Sequence, residues 1–552
     1  MVRALFVFAV FLAFTVNLIT SAVFTPMTYD EPLHIASGYT KFWLGDFRMN
    51  TEQPPLAHYV QGLMVSFAKP SLNLNHSSWT EKNMTQFSQR FFFTDNTVPD
   101  TFLFLGRIPS ILFALLLAVV VYFFAAELYG YWAGILSIAL LSFEPNIIGH
   151  GSVATTDMAF TSLMLITIYC LWKYAQKPAM KQLMWFAISF GLLQLTKYTA
   201  ILTAPIFFVL ILAVVLLQKR KLFTLAKNAV AGIFITALVA WIIINAAYFF
   251  SGTGTSIGSA MNVDEHLDEQ YAPQKILSNL PDWIVYSLPN PLPYPYVKGL
   301  GFVMFESKSS IRVKLFNVVS VKGFRSYYLF AFLFKTPLAL IALFTISLFI
   351  LFRNMLFKKM ASAELIILIF VIFFFTAFSF TSKQIGIRHI LPVYPLFIIL
   401  AGKLSGIKTM KWVIIILVAL NVLSGVSSLP KPLSYYNEII GAENGWKVFA
   451  DSNTDWGFDF DELLKYLAEK NMTTASMKIL TTQDFAFYNI LARSVPIVCE
   501  RGIHLASVHA VYLNGAQWLS SYSPTEQIGT SIFAYNISSC STPAVAHLQF
   551  NK

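Results

Sequence analysis

The sequence is poor in charged residues. Only 12% of its 552 residues are Asp, Glu, Lys or Arg, whereas an ordinary soluble domain carries roughly 25%. Apolar residues make up 56% of the chain and aromatic residues 16%. Apolar runs of about 20 residues, each long enough to cross a hydrocarbon core roughly 30 Å thick, recur along most of its length. The composition excludes a soluble enzyme, a disordered chain and a fibrous repeat, and predicts a polytopic membrane protein.

Cysteine is also scarce, with three residues in the whole chain. Three cysteines cannot make a disulfide framework, and no CxxC pair or Cys/His cluster with zinc-finger spacing is present. Cys499 and Cys540 lie in the polar C-terminal region, where one disulfide and two free thiols are the alternatives. A nucleic-acid partner is not indicated, because the cations behind the net charge of +11 cluster beside apolar runs, where membrane orientation explains them.

Eleven apolar runs predict about eleven transmembrane helices, within a range of 11 to 13. The first run, residues 4–24, exceeds a usual signal-peptide core and is interpreted as an uncleaved span. Basic residues in the short connections fall on one side if the spans alternate, which predicts a cytoplasmic N-terminus. The runs lie near residues 4–24, 102–126, 131–149, 158–175, 183–196, 199–217, 229–250, 327–352, 364–380, 390–402 and 412–428.

Three long polar segments then fall on the external or lumenal side. Two of them, residues 25–101 and 251–326, are loops of a predicted transmembrane catalytic module over residues 1–428. The third, residues 429–552, is predicted to form a small external soluble domain. Within it, DFDELLKYLAEKN has a helical pattern, whereas MKILT, VPIVC and HAVYL alternate as strands do, which indicates α/β organisation.

Three cations lie on the external side, where the positive-inside rule gives them no reason to be. They are Lys197, Lys383 and Arg388. Lone cations at a membrane boundary are commonly snorkelling anchors. Acids share this side, however, and together the two sets predict a site for an anionic group such as phosphate. The acids are Asp30 and Glu31 after the first span, Glu52 before a Pro pair, and Asp157 at the start of a later span. Each acid has the alternative of favouring or capping a helix N-terminus.

Further polar candidates for substrate binding lie near the same face. His150 and His389 adjoin spans, and the segment DSNTDWG contains Asp451, Asp455 and Trp456. Two acids, an amide and a Trp are often combined to bind sugars, although a turn followed by a capped helix explains this segment equally. No cofactor is required by these residues. A divalent metal held by the acids with His150 stays open, although no His-x-x-x-His or Glu-x-x-His pattern appears.

The motifs TYDE, GDFRMNTEQPPLA, TTDMA, LTKYTA, IGIRHILPVYP and NTDWGFD follow one another in an order that is similar to the GT-C superfamily of membrane glycosyltransferases. More narrowly, they resemble the branch of dolichyl-phosphate-mannose protein mannosyltransferases and bacterial aminoarabinose transferases. The resemblance covers residues 1 to about 460. It implies a GT-C architecture, an active site on the external face, and a sugar donor carried on a polyprenyl phosphate.

The resemblance also implies roles for individual residues. Asp30 matches the catalytic base, with Glu31 beside it, and Glu52 and Asp157 match the family's other acids. Lys197 and Arg388 match the cations near the donor phosphate. Lys383 is predicted to bind the donor phosphate as well, but only because of its charge and its side of the membrane. Where the aminoarabinose transferases have Lys before the Pro pair, this chain has Gln53. That departure removes one expected cation and puts the same sugar in doubt.

The predicted function is inverting transfer of a hexose or pentose from a polyprenyl-phosphate-linked donor to an acceptor hydroxyl. Phosphate is already a good leaving group, so the reaction needs a base and cations more than a general acid. The acceptor is open among lipid, glycan and protein. The main alternative is a transporter or lipid flippase, and a second is a regulatory membrane protein with a soluble sensor domain. The predicted location is a prokaryotic plasma (inner) membrane among its lipids, with the endoplasmic reticulum as the alternative.

Overall fold

The computed structural model describes residues 2–216, 222–256, 287, 289–307, 311–357, 360–540 and 549–551. The middle of the predicted loop 251–326 and the basic residues 219–221 and 358–359 lie outside these ranges. Helices dominate the described chain, and its strands lie in residues 313–320 and after residue 473.

The first half of the chain is helical throughout. After α1 (Val2–Phe24), four short helices form the first polar segment: α2 (Glu31–Leu44), α3 (Pro55–Ser66), α4 (Ser77–Thr80) and α5 (Met84–Phe93). Predominantly apolar helices of 7 to 31 residues follow, in the region of the continuous apolar runs. They are α6 (Pro99–Tyr129), α7 (Tyr131–Ser142), α8 (Pro145–Gly151), α9 (Asp157–Gln176), α10 (Met180–Gln194), α11 (Ala204–Leu216) and α12 (Leu222–Ala247).

The described residues of the second half add six α-helices before the C-terminal region: α13 (Tyr294–Glu306), α14 (Tyr327–Lys335), α15 (Leu338–Leu356), α16 (Ser362–Ser379), α17 (Val393–Gly402) and α18 (Lys411–Ser427). All ten residues of α17 are buried. Because a helix that is apolar on every face is stable only when it is surrounded by protein or lipid, this burial places α17 inside the helix bundle.

Eight helices of the described chain are long and apolar enough to cross a membrane, and the pair α7–α8, bent by 68°, is a ninth candidate. These helices confirm the predicted all-α polytopic class and support an integral membrane protein. The predicted count of eleven is not confirmed. The runs 183–196 and 390–402 form α10 and α17, of 15 and 10 residues, which are shorter than the roughly 20 residues that span a bilayer.

The helices α2 and α3 pack unusually closely. A Cβ atom at Gly62 would lie 2.3 Å from the carbonyl oxygen of Gly38, and one at Gly38 would lie 2.7 Å from the carbonyl oxygen of His58. Only glycine fits such a backbone approach. The two glycines therefore set how the side chains of α2 and α3 meet.

The C-terminal region contains the predicted α/β structure. A five-stranded sheet has the order β4 (Leu491–Ser494), β3 (Thr474–Lys478), β5 (Gly502–Ser507), β7 (Ile532–Ile537) and β6 (Glu526–Ile528). β3 is parallel to β4 and β5, and β7 is antiparallel to β5 and β6. The predicted helix forms α19 (Phe460–Glu469). A second sheet joins β1 (Val313–Leu315), β2 (Val318–Ser320) and β8 (Gln549–Asn551).

Two of the three strand predictions in this region are wrong. The residues HAVYL form the short helix α20 (Val508–Tyr512), and VPIVC forms no strand. Five-residue apolar runs cannot distinguish a strand from a buried helical turn. The backbone N–H of His509 donates to the Asp455 carboxylate at 2.8 Å, which satisfies one of the free donors at the start of α20. Cys499 and Cys540 form a disulfide.

Candidate active site

A cavity of about 510 Å³ lies where several helices begin or end. Its wall comes from the segment before α2, the residues before α3, the start of α9, the segment after α10, helix α13 and the segment after α16. One side of the wall is apolar. The cavity also contains seven of the residues predicted from the sequence: Asp30, Glu52, Asp157, Lys197, Lys383, Arg388 and His389. The structure thus brings together residues from distant parts of the chain.

Each predicted cation of the cavity contacts an acid. Arg388 Nη1 lies 2.7 Å from Asp30 Oδ2, and Lys197 Nζ lies 2.5 Å from Asp157 Oδ1. Lys383 pairs with Glu306 at the end of α13. Glu306 was missed by sequence reasoning. The only signal that could have found it is an acid at the end of an amphipathic stretch on the same predicted side as Lys383.

Asp30 and Asp157 both lie at helix starts, yet neither side chain caps its helix. Asp30 occupies the N-cap position of α2 without a side-chain cap hydrogen bond. Asp157 is the first residue of α9, and its Oδ2 accepts a hydrogen bond from the Thr155 hydroxyl at 3.2 Å. By contrast, Glu144 does cap its helix, because it accepts from the Ile147 N–H. The capping alternative therefore does not account for Asp30 or Asp157, whose carboxylates turn toward cations.

Glu31 points away from the cavity, although it follows Asp30 in sequence. Its two carboxylate oxygens each accept a hydrogen bond of 2.7 Å from the Arg107 guanidinium. The same carboxylate accepts from the backbone N–H groups of Thr28 and Ala154. Both charged side chains are fully buried. Glu31 therefore fixes the start of α2 against α6, and it does not line the cavity beside Asp30 as the predicted catalytic pair would require.

Trp456 of the segment DSNTDWG contacts Arg388. The ring of Trp456 lies 4.7 Å from the guanidinium carbon, a distance at which a cation is attracted to an aromatic face. The Arg388 Nε also donates to the carbonyl of Ile385 at 3.2 Å. Trp456 accepts the backbone N–H of Tyr29 on its own carbonyl at 2.8 Å. One residue thus contacts both the arginine and the chain beside Asp30.

The loop that carries Arg388 is bound to the same segment by side-chain hydrogen bonds. Asn453 Oδ1 accepts from the Ile387 N–H at 2.8 Å, and the Ser452 hydroxyl donates to the Ile385 carbonyl at 2.6 Å. The loop turns at Gly386, whose φ of +99° favours glycine. Its N–H donates to the Tyr327 hydroxyl, which in turn donates to Asp451. The segment therefore fixes the backbone on which Arg388 stands.

Asp451, Asp455, Trp456 and His150 do not line the cavity in the described chain. Burial raises the pKa of Asp451 to about 6 and that of Asp455 to about 7, while their hydrogen bonds oppose the shift. His150 is buried and packs against Trp456, with ring centroids 5.7 Å apart. We therefore find the predicted sugar-binding set behind the cavity wall, where it supports Arg388.

The carboxyl group of Glu52 has a pKa well above its usual value. Burial and, to a smaller extent, the nearby Glu306 raise its pKa to about 7, whereas Lys383 opposes the shift. The neighbouring Gln53 also lines the cavity and accepts a hydrogen bond from the Thr156 hydroxyl at 3.1 Å. Gln53 thus places a neutral amide group beside Asp157.

The described residues contain no group of three or more His, Cys, Asp or Glu side chains that could hold a metal ion. Three acids of the cavity, Asp30, Asp157 and Glu306, each contact one cation instead. The arrangement is suited to an anionic ligand, because three cations line the same cavity. Each cation can donate to a phosphate oxygen while it still contacts its acid.

Residues 101–249 match the family of dolichyl-phosphate-mannose-protein mannosyltransferases. The matched segment contains two of the cavity residues that the sequence predicts, Asp157 and Lys197. The match confirms the predicted resemblance for this part of the chain and supports a glycosyltransferase of the GT-C class. No curated protein matches the sequence.

Several solved structures are similar at low identity. ArnT from Cupriavidus metallidurans bound to undecaprenyl phosphate is 14% identical with a TM-score of 0.48, and the match covers 98% of this chain and 99% of that one. The Archaeoglobus fulgidus oligosaccharyltransferase is 10% identical with a TM-score of 0.47, over 96% and 73%. The S. cerevisiae Pmt1–Pmt2 complex bound to its sugar donor is 12% identical with a TM-score of 0.36, over 58% and 39%. Each of these three TM-scores is below 0.5, so the similarity assigns no residue roles to this chain.

Proposed function

We propose that this protein transfers a sugar from a polyprenyl-phosphate-linked donor to an acceptor hydroxyl, with inversion at the anomeric carbon. The observation that carries the proposal is the contact between Asp30 and Arg388 inside the cavity, 2.7 Å apart. An acid that accepts a proton and a cation that binds phosphate are the two groups such a reaction needs. Here they adjoin, and each is supported by residues outside the cavity.

In the proposed reaction, the acceptor oxygen attacks the anomeric carbon from the face opposite the phosphate. The bond between that carbon and the phosphate oxygen breaks, and the phosphate leaves with the electron pair. Asp30 accepts the proton of the acceptor hydroxyl. Arg388 and Lys197 stabilise the charge on the departing phosphate, a contribution of several kcal/mol when such groups are preorganised. Glu52, Asp157 and His389 line the cavity as candidates for binding sugar and acceptor hydroxyl groups.

Arg388 is suited to serve both Asp30 and a phosphate. A guanidinium has five N–H donors in a planar fork. The contacts of Arg388 with Asp30 and with the Ile385 carbonyl engage its Nη1 and Nε atoms. Nη2 is thus available to a phosphate oxygen while the contact with Asp30 persists. Transfer of the proton to Asp30 removes its negative charge, which strengthens the hold of Arg388 on the phosphate.

The apolar wall of the cavity supports a lipid-linked ligand. Its residues are Leu33, Ile201, Leu202, Leu300, Val303, Met304 and Phe378. Ile201 and Leu202 are partly exposed on the bundle surface, next to the helix Ala204–Leu216. A polyprenyl chain could therefore lie against this wall with its phosphate among the cations. A soluble nucleotide-sugar donor has no lipid chain to contact this wall.

We propose that the cavity faces the external side, together with a soluble domain over residues 429–552 that follows the module 1–428. The Cys499–Cys540 disulfide supports this side, because disulfides persist in oxidising compartments. The domain and the cavity share one side, since the Thr482 hydroxyl donates to the carbonyl of Tyr29 beside Asp30. The proposed location is a prokaryotic inner membrane with a cytoplasmic N-terminus, and the endoplasmic reticulum is the alternative.

The proposal is tested by mass spectrometry of envelope glycolipids and glycoproteins from cells that lack the protein. The cells are complemented with the wild type or with Asp30→Asn. We expect one hexose- or pentose-sized mass to return with the wild type alone, and the modified molecule identifies the acceptor. Equal profiles with both proteins would refute Asp30 as the base. Movement of the lipid-linked sugar across vesicles without its consumption would favour the flippase alternative.

A further inference from the structure

Three polar side chains form a line of hydrogen bonds from the cavity into the protein. His34 lines the cavity, and its Nδ1 lies 2.8 Å from Nε2 of His58. Nδ1 of His58 lies 2.7 Å from Nζ of Lys41. All three side chains are buried. His34 and Lys41 belong to α2 and His58 to α3, so the close approach of these helices at Gly38 and Gly62 makes the line possible.

Lys41 has an acceptor for each of its three hydrogens. Its Nζ donates to the backbone carbonyls of Asn50 and Gln53, at 2.9 and 3.1 Å, and its third contact is His58. A charged ammonium has three N–H groups and no lone pair. Burial lowers the pKa of Lys41 to about 7, so below that pH the charged lysine donates all three contacts and the line ends in a donor.

The direction of donation then follows along the line. Because Lys41 donates to Nδ1 of His58, the proton of this neutral imidazole is on Nε2, which donates to Nδ1 of His34. His34 in turn carries its own proton on Nε2, the nitrogen left for the cavity. Burial lowers the pKa of His34 to about 4 and that of His58 well below its usual range. Both rings are therefore neutral near pH 7.

We propose that the Nε2–H of His34 donates a hydrogen bond to the anionic headgroup bound in the cavity, and that Lys41 fixes this orientation through His58. The inference rests on the proposed function and adds a neutral phosphate donor to it. Asp30, Asp157 and Glu306 each offset one cation of the cavity. Within the line no acid accepts the N–H of His34, although the charges of Asp30 and Asp157 reach its ring. The charge of Lys41 polarises that N–H toward the cavity.

The orientation is tested without any enzymatic reaction. The whole protein, labelled with ¹⁵N-histidine and placed in lipid, is studied by solid-state NMR at pH 6, because burial lowers the pKa of Lys41 to about 7. The signals of His34 and His58 are assigned from His34→Gln and His58→Gln. We expect both rings to be neutral with the proton on Nε2. A proton on Nδ1 of His34 in the wild type would overturn the inference.

Binding of undecaprenyl phosphate in detergent tests the contact with the headgroup. Loss of a hydrogen bond to a charged group should weaken binding at least about tenfold. We expect this loss for both His34→Leu and His58→Leu. In His58→Gln, one amide can accept from Lys41 and donate to His34, so binding should stay within about threefold of the wild type. Lys69→Met, an exposed lysine of the same segment, is the control that should not change.

The combined variants separate this inference from the proposed function. If Lys41 acts through His34, adding Lys41→Met to His34→Leu should not weaken binding further. Thermal unfolding reports whether each variant is folded. If Lys41→Met does not fold, the comparison of His58→Leu with His58→Gln tests the inference instead. Binding by the wild type that is unchanged in His34→Leu would overturn the inference and leave the proposed function intact. No binding by the wild type would count against the proposed function and the headgroup contact, while NMR still decides the orientation.

Discussion

The guanidinium of Arg388 lies 4.7 Å from the ring of Trp456, which comes 68 positions later in the chain. The helix Lys411–Ser427 separates the two residues in sequence. The segment after the last apolar helix is therefore part of the site. Since Trp456 also holds the N–H of Tyr29, it links the proposed base to the proposed phosphate-binding cation.

Replacing Trp456 should act through Arg388. We expect Trp456→Leu to lower kcat/KM by about three- to thirtyfold, the range of cation–π contributions. The same change in an Arg388→Lys background should add little, because the arginine that it positions is already gone. Assays of the single and double variants measure this. Trp412→Leu, at an exposed residue of the helix Lys411–Ser427, is the matched control. Fully additive losses would contradict a positioning role.

The sequence predicts the membrane class, and it predicts seven residues of the cavity from their type and their position in the chain. Lys197, Lys383 and Arg388 are predicted site residues because cations are disfavoured on their side of the membrane, and all three line the cavity. Their partners were not predictable in the same way. The pair of Asp30 with Arg388 joins residues 358 positions apart, and no local pattern encodes such a contact.

The roles of Glu31 and Trp456 show why the rest could not be predicted. Consecutive residues at a helix start point in directions about 100° apart, so Asp30 faces the cavity while Glu31 faces Arg107. Trp456 has the composition of a sugar-binding residue, but whether an aromatic ring stacks on a ligand or on a guanidinium depends on the tertiary packing. Sequence alone indicated the right segment without its role.

Neutralising Asp30 should remove transfer and leave the fold intact. Loss of a general base typically lowers rates by about a hundred- to ten-thousandfold, and we expect kcat to fall in this range for Asp30→Asn. Asp30 is partly exposed to the cavity, so the amide should be accommodated. Asp46→Asn is a matched control, because Asp46 contacts Arg48 and does not line the cavity. Retained activity in Asp30→Asn, with lipid-linked donor and purified protein, would exclude the assignment.

Arg388→Lys should impair the site in a different way. A lysine keeps the charge but cannot reproduce the planar fork that serves Asp30, the Ile385 carbonyl and a phosphate at once. We expect weaker binding of undecaprenyl phosphate and lower kcat. Both are measured on the purified variant, with Arg48→Lys as the control for a surface arginine. Unchanged binding would remove Arg388 from the phosphate site.

Glu31 and Arg107 should behave as a structural pair. Removing one partner of a buried ion pair leaves an uncompensated charge and costs about 3–5 kcal/mol, so Glu31→Gln should lower the free energy of unfolding by this order. The double variant Glu31→Gln with Arg107→Met should lose less than the sum of the two single variants. Denaturant titration in detergent measures both. A Glu31→Gln protein that is as stable as the wild type but inactive would instead indicate a chemical role.

Glu52 should make stability depend on pH. Burial and the nearby Glu306 raise its pKa from the usual value of 4.5 to about 7, so the folded protein favours the protonated acid more than the unfolded chain does. Its ionisation therefore destabilises the fold as the pH rises from about 4.5 toward 7, and the effect is complete above that. Gln resembles the protonated acid, so Glu52→Gln should match the wild type in Tm at pH 5 and exceed it at pH 8. Equal Tm values for Glu52→Gln and the wild type at both pH values would show that Glu52 ionises as an ordinary carboxyl.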